Sequence, residues 1–229
     1  MNFNKHLELN GGHAVFGASQ NAWLRYDDDK IIDRVNSLMA KSLGSEIHEF
    51  ARSQIDMRIR SRSVKGLLDS LMTYIYRKYF DEEKDSLSLY GEKLLNGISH
   101  MPKQVFGTVQ QYINDCVGFC MTPEQKLSYD PVYFFGTADA ISFRDECLRI
   151  HDLKTGRIQA HMDQLVIYAA FFCLEYKVDP KKLKTIELRI YQNGEVAVYH
   201  PEAEEIIDIM DKTRHHYSML QQFEGGAAS

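Results

Sequence analysis

The chain has 229 residues, 44% hydrophobic and 26% charged, with a formal charge of −5, the balance of a folded globular protein with a sizeable core. A net acidic chain is not one coated in phosphate-binding groups, and with no run of about 18 apolar residues no membrane-spanning helix is expected. The opening Met1 to Glu8 lacks the apolar stretch of a secretory signal, which points to a cytoplasmic location, and Cys116, Cys120, Cys147 and Cys173 read as reduced thiols.

Taken in chain order, the first dozen residues read as an extended arm. Ser19 is an N-cap for a short helix through Trp23 and Tyr26, which Asp27-Asp28-Asp29-Lys30 interrupts. Residues 31–59 read as one or two helices, with Leu43, Ile47, Phe50, Ala51 and Ile55 at helical spacing. A basic segment follows (Arg58, Arg60, Arg62, Lys65), then a helix from Leu67 to Phe80 and a polar break at Asp81 to Asp85. Pro102 opens a helix from Lys103 to Met121, closed by Pro123. Three strands are expected between Lys126 and Lys154, the first over Leu127 to Tyr129. A helix from Gln159 to Tyr176 comes next, then strands Ile186 to Gln192 and Val196 to Tyr199 around the turn Asn193-Gly194, and a last helix from Glu202 to Phe223. Residues 224–229 are expected to be disordered. The fold class is α/β in a single domain: a mainly helical part over 13–122, then an α/β core over 123–223.

The most informative segment is Gly136 to Gly156. It reads as a hairpin of Tyr133 to Phe143, the turn Arg144-Asp145-Glu146, and Cys147 to Lys154. If Phe143 sits opposite Cys147 or Leu148, Asp139 falls opposite His151 or Asp152. Opposed strand residues have Cβ atoms about 4.5–5.5 Å apart, and like charges there destabilise the pair. Two carboxylates brought together in an apolar hairpin therefore call for a cation. Lys154, two residues past Asp152, shares its face.

Gly136-Thr-Ala-Asp139 followed by Asp152-Leu153-Lys154-Thr155-Gly156 resembles the PD-(D/E)XK nuclease superfamily, in its RecB-like and phage exonuclease branch. Two further motifs fall in the family's order. Gly44-Ser45-Glu46-Ile47-His48-Glu49 is similar to its upstream metal-binding helix, and Gln164-Leu165-Val166-Ile167-Tyr168 to its downstream Gln-x-x-x-Tyr signature. The resemblance implies a restriction-endonuclease-like core: a central mixed β-sheet with a β-meander, flanked by helices, behind a helical N-terminal region. It also implies that His48, Asp139, Asp152 and the Leu153 carbonyl bind one or two Mg²⁺ or Mn²⁺ ions, with Lys154 orienting or activating the attacking water. Imidazole at His48 tilts the site towards Mn²⁺. Gln164, Tyr168, Ser19 and Arg52 become candidate substrate contacts, and Glu124 and Glu46 candidate additional acids. The bland alternatives are a helix-end surface acid for Glu124, a core tyrosine for Tyr168 and a solvated face for the arginines. The four cysteines do not reproduce the iron–sulfur ligand spacing of some relatives, so no cluster is expected.

The activity implied is divalent-metal-dependent hydrolysis of DNA phosphodiesters, as an exonuclease on DNA ends in phage-type recombination, replication or degradation, beside a single-strand annealing protein. The rival readings are a structure-specific endonuclease with the same site and a non-catalytic DNA-end binding module.

Overall fold

The structure is a computed structural model and describes residues 15–18, 21–80, 85–156 and 158–227. The predicted N-terminal arm, Ser19 and most of the polar break lie outside the described residues. The first described helical segment is a 3₁₀ turn, Asn21–Arg25, rather than a helix reaching Tyr26. Helix α1 then runs without interruption over Asp28–Asp56. The acidic run is its start: the Asp27 carboxylate accepts the Lys30 N–H at 2.8 Å, and Asp28 and Asp29 occupy the first turn, where the helix dipole favours negative charge. Helices α2 (Val64–Phe80), α3 (Asp85–Ser99) and α4 (Lys103–Gly118) follow. α3 has no counterpart in the sequence reading. Its Leu94 and Ile98, one turn apart, are both fully buried.

The described residues group into two compact units. One draws on residues up to Glu46 and on Ser70–Met101; the other draws on Ile47–Asp69 and everything from Pro102 onward. The first is helical, with Leu43, Leu71, Ile75, Leu94 and Ile98 in its interior.

The second unit holds a five-stranded sheet: β1 (Thr122–Asp130), β2 (Phe134–Arg144), β3 (Cys147–Lys154), β4 (Thr185–Gln192) and β5 (Glu195–Tyr199), side by side in chain order. β3 and β4 are parallel and the other neighbours antiparallel. The parallel pair needs a crossover, supplied by α5 (Asp163–Tyr176). α5 is buried on almost every side (Leu165, Ala169, Ala170 and Cys173 have no exposed surface), because it lies within the core that unites the sheet with Ile206 and Met210 of helix α6 (Ala203–Ala227). On β3, alternation sends Leu148 and Ile150 into that core. His151 instead lies among α4 and β4 side chains, its Nδ1 3.2 Å from the Tyr191 hydroxyl and 3.7 Å from Cys116 Sγ. Tyr191 donates to Asp115 at 2.8 Å, tying β4 to α4.

The architecture is thus α/β, a five-stranded mixed sheet flanked by helices with a helical N-terminal region, as a restriction-endonuclease-like core requires. Among the described residues no helix is long and apolar enough to cross a membrane.

Candidate metal centre

The hairpin register decides between the two sequence alternatives. Phe143 pairs with Leu148 and Ala140 with His151, so counting one step further sets Asp139 against Asp152. The turn holds two residues rather than three: Arg144 pairs with Cys147, and Asp145 and Glu146 both have positive φ (51° and 60°), the type I′ signature that matches strand twist. The register on the other side of β2 supplies a third acid. Pro123 pairs with Ala140 and Gln125 with Ala138, which sets Glu124 against Asp139. Carboxylates from β1, β2 and β3 therefore stand in one row across the sheet. Glu124 is held at φ 50° in mid-strand, an uncommon conformation for a residue with a side chain.

His48 approaches this row from α1. Its ring and the carboxylates of Glu124 and Asp139 bring ligand atoms within 4.8 Å of one another, with His48 Nδ1 3.5 Å from Asp139 Oδ2. Burial lowers the His48 pKa, against the opposing pull of the Asp152 and Glu124 charges, and the neighbouring Leu153 carbonyl also acts on the ring. A neutral imidazole is the form a metal needs. Asp139 Oδ2 accepts the Leu153 N–H at 2.9 Å, which fixes its orientation and leaves lone pairs free.

Asp152 is not part of the His48, Glu124 and Asp139 trio. Lys154 Nζ lies 3.0 Å from each of its oxygens, and only Oδ1 receives a well-aligned hydrogen bond. Asp152 Oδ2 is buried with no hydrogen-bond partner, in a residue that is 2% exposed. Burial raises the pKa of both Asp139 and Asp152, and the Asp139 charge raises that of Asp152 further. Burying a carboxylate is costly unless something compensates its charge. An acid oxygen held only by the Lys154 ion pair, two more acids in the same row and a neutral imidazole form a donor set that fits a divalent cation with oxygen and nitrogen ligands.

Lys154 links this row to α5. Its ammonium lies 3.5 Å from Gln164 Oε1, and Gln164 Nε2 donates to the Tyr168 hydroxyl at 2.8 Å. The structure thus joins Asp152, Lys154, Gln164 and Tyr168 in one chain of contacts. Gly136 is explained by the same neighbourhood: a Cβ there would lie 2.6 Å from Tyr168 Cε1, so only glycine lets the ring lie against β2.

The remaining predicted residues are placed as follows. Arg52 is 3.1 Å from Asp56 and 4.0 Å from Glu49 along α1. Glu46 is buried, neither solvated nor free: it accepts from Lys78 Nζ at 2.8 Å and from the Tyr79 hydroxyl at 2.6 Å within the first unit. Sequence reasoning leaves Glu124 undecided and passes over Gln192, whose side chain binds the loop after Lys154. The signal that finds Glu124 is register: once β1 and β2 are paired, 124 and 139 are opposite. Nothing local in the sequence marks Gln192.

Site and sheet together define an α/β protein with an acid–histidine cluster across three adjacent strands. The chain belongs to the family described as "Protein of unknown function (DUF2800)", which matches residues 26–213. No curated protein and no solved structure matches the chain.

Proposed function

We propose that this protein is a divalent-metal-dependent deoxyribonuclease of the PD-(D/E)XK kind, acting as an exonuclease on DNA ends in the cytoplasm. The observation that carries the reading is the row of Glu124, Asp139 and Asp152 on three neighbouring strands, with His48 within ligand range and Lys154 against Asp152. His48, Glu124 and Asp139, with Asp152 and the Leu153 carbonyl, would hold Mg²⁺ or Mn²⁺. A bound ion there supplies charge neutralisation at the scissile phosphate and an activated water.

The chain's own groups do the rest. Lys154 places a positive charge at the C-terminal end of β3, where it can hold both a phosphate oxygen and the attacking water in line. Asp152 keeps that ammonium in position. Gln164 and Tyr168 present an amide and a hydroxyl beside Lys154, donors suited to the non-bridging oxygens of a bound strand. Burial of Asp152 and Asp139 excludes bulk water, so each of these charges acts more strongly than it would in solution.

The test offers linear duplex, single-stranded and closed circular DNA, end-labelled at either terminus where ends exist, with Mg²⁺ and separately with Mn²⁺. Linear DNA is expected to shorten from an end while circles stay intact, and Asp152→Ala is expected to remove the activity without unfolding the protein. Cut circles would replace the exonuclease by an endonuclease with the same site. DNA bound but never hydrolysed would replace it by an end-binding module.

A further inference from the structure

The loop between β3 and α5 leaves the centre directly from Lys154 and returns to it at Gln164. It carries Ile158, which is 91% exposed, more than any other large apolar residue described. An exposed isoleucine on a floppy loop would need no explanation, but the backbone of this loop is bonded at Gly156, at Ile158 itself and at Ala160. Gln192, at the end of β4 and paired with Lys154 in the parallel register, reaches across with its carboxamide. Its Nε2 donates to the Gly156 carbonyl at 2.8 Å and to the Ile158 carbonyl at 2.7 Å, and its Oε1 accepts the Ala160 N–H at 3.1 Å. One side chain thereby satisfies three backbone groups and fixes the direction in which Ile158 projects.

We infer that Ile158 is a nucleobase platform and Gln192 its positioning residue: the apolar side chain packs against the base adjoining the phosphate held at Lys154. The inference rests on the nuclease reading above and adds a substrate contact to it. Ile158 lies four positions beyond Lys154, so its Cα is at most about 14 Å from the Lys154 Cα, within reach of the nucleotides that flank a phosphate bound there. Side chains that meet polynucleotides in this way are apolar or aromatic and lie against the base or between base steps, because every base offers a flat apolar face. A side chain kept in water by three hydrogen bonds to its loop is already in place for such a contact, and ordering the loop on binding costs little.

The experiment is a cycle between protein and substrate. Wild type, Ile158→Ala, Ile158→Phe and Gln192→Leu are each assayed with Mn²⁺ on an oligonucleotide with normal bases and on the same oligonucleotide carrying one abasic site next to the scissile phosphate. Hydrolysis of bis(p-nitrophenyl) phosphate, which has no base, serves as the readout of the intact metal centre. Ile158→Ala is expected to raise KM for the normal oligonucleotide about five- to tenfold, as loss of a stacking contact does, with kcat and the small-ester rate unchanged. Ile158→Phe should restore wild-type KM, and Gln192→Leu should resemble Ile158→Ala. On the abasic substrate all four proteins should have the same KM. A loss of small-ester hydrolysis in Ile158→Ala, an unchanged KM on normal DNA, or an equal loss on the abasic substrate would each overturn the platform. If wild type cleaves none of the three substrates, the nuclease reading itself fails.

Discussion

Replacing Asp152 by asparagine separates the cost of this centre from its use. Asp152 is 2% exposed, its Oδ2 has no hydrogen-bond partner, and burial together with the Asp139 charge raises its pKa. An acid whose pKa is raised by folding binds its proton more tightly in the native state. It favours the fold at low pH, and that contribution is lost as pH climbs from the ordinary carboxylate value through the raised one. At neutral pH without metal, the ionised Asp152 therefore works against the fold. A pKa displaced by one pH unit is worth about 1.4 kcal/mol, so one to two pH units correspond to about 1–3 kcal/mol. The carboxamide keeps the shape without the charge, and Lys154, whose side chain is 34% exposed, loses its partner to water rather than to a dry interior. For a chain of this length 1 kcal/mol moves a melting midpoint by about 2–4 °C. Asp152→Asn is expected to melt about 2–12 °C above wild type in EDTA at about pH 7.5, and to lose most of that advantage at about pH 4.5. Saturating Mn²⁺ should reverse the order, since a ligand that binds only the native state at 100 times its Kd adds about 2.7 kcal/mol. Metal and proton compete for the same oxygens, so the wild-type gain from Mn²⁺ should grow with pH. Calorimetry across this grid decides. A variant less stable than wild type at both pH values, with no metal response in either protein, would mean that Asp152 is a structural ion-pair acid of Lys154.

His48→Ala is expected to lower Mn²⁺ affinity by about tenfold or more and Mg²⁺ affinity by less, because imidazole suits the softer ion; isothermal titration with each ion checks this, and equal losses would remove His48 from the ligands. Gly136→Ala should cost about 1–3 kcal/mol, since its Cβ would stand 2.6 Å from the Tyr168 ring. Combined with Tyr168→Ala, it should cost markedly less than the sum of the two single changes, as denaturant melts of all three proteins would show.

The parts of the fold legible in the sequence are those where local chemistry and tertiary context agree. Asn193-Gly194, at φ 53° and 86°, closes β4 onto β5 as the dipeptide demands. The Gly136–Gly156 hairpin forms because its apolar strands and polar turn agree on one structure. Its turn is one residue shorter than the polar run suggests: Asp145-Glu146 is an unusual type I′ pair, both residues left-handed without a glycine. The acidic run at Asp27 resembles a break because charge density looks like one until the cap is considered; Asp27 is followed by helix formers, and its carboxylate is worth most where it stands. The α3 helix escapes a sequence reading although Leu87, Tyr90, Leu94 and Ile98 recur at helical spacing, because Gly91 and Gly97, weak helix formers, interrupt the run. The strand β1 begins at Thr122, five residues ahead of the predicted Leu127, and so takes in Pro123; as an edge strand it tolerates a residue without an N–H. The two glycines of the nuclease-like motifs also differ. Gly136 is required by the Tyr168 ring, whereas a Cβ at Gly156 would meet nothing within 4 Å.

The candidate centre is legible only in part because it breaks the rules by which strands are read. Alternation predicts an apolar face, and the row of Glu124, Asp139 and Asp152 puts three acids side by side on it. Propensity predicts extended backbone, and Glu124 is left-handed. Satisfaction of buried polar groups predicts a hydrogen bond for every oxygen, and Asp152 Oδ2 has only its ion pair with Lys154. Each violation alone costs of the order of 1–3 kcal/mol, and a sheet built only for stability would carry none of them. They coincide at one point, next to a neutral histidine that a second element brings in. A cation bound there would compensate the three acids, which Lys154 alone does not balance. The same convergence explains why Glu124 cannot be read from its own neighbourhood: its meaning comes from Asp139, fifteen residues away in sequence and directly across the sheet in space.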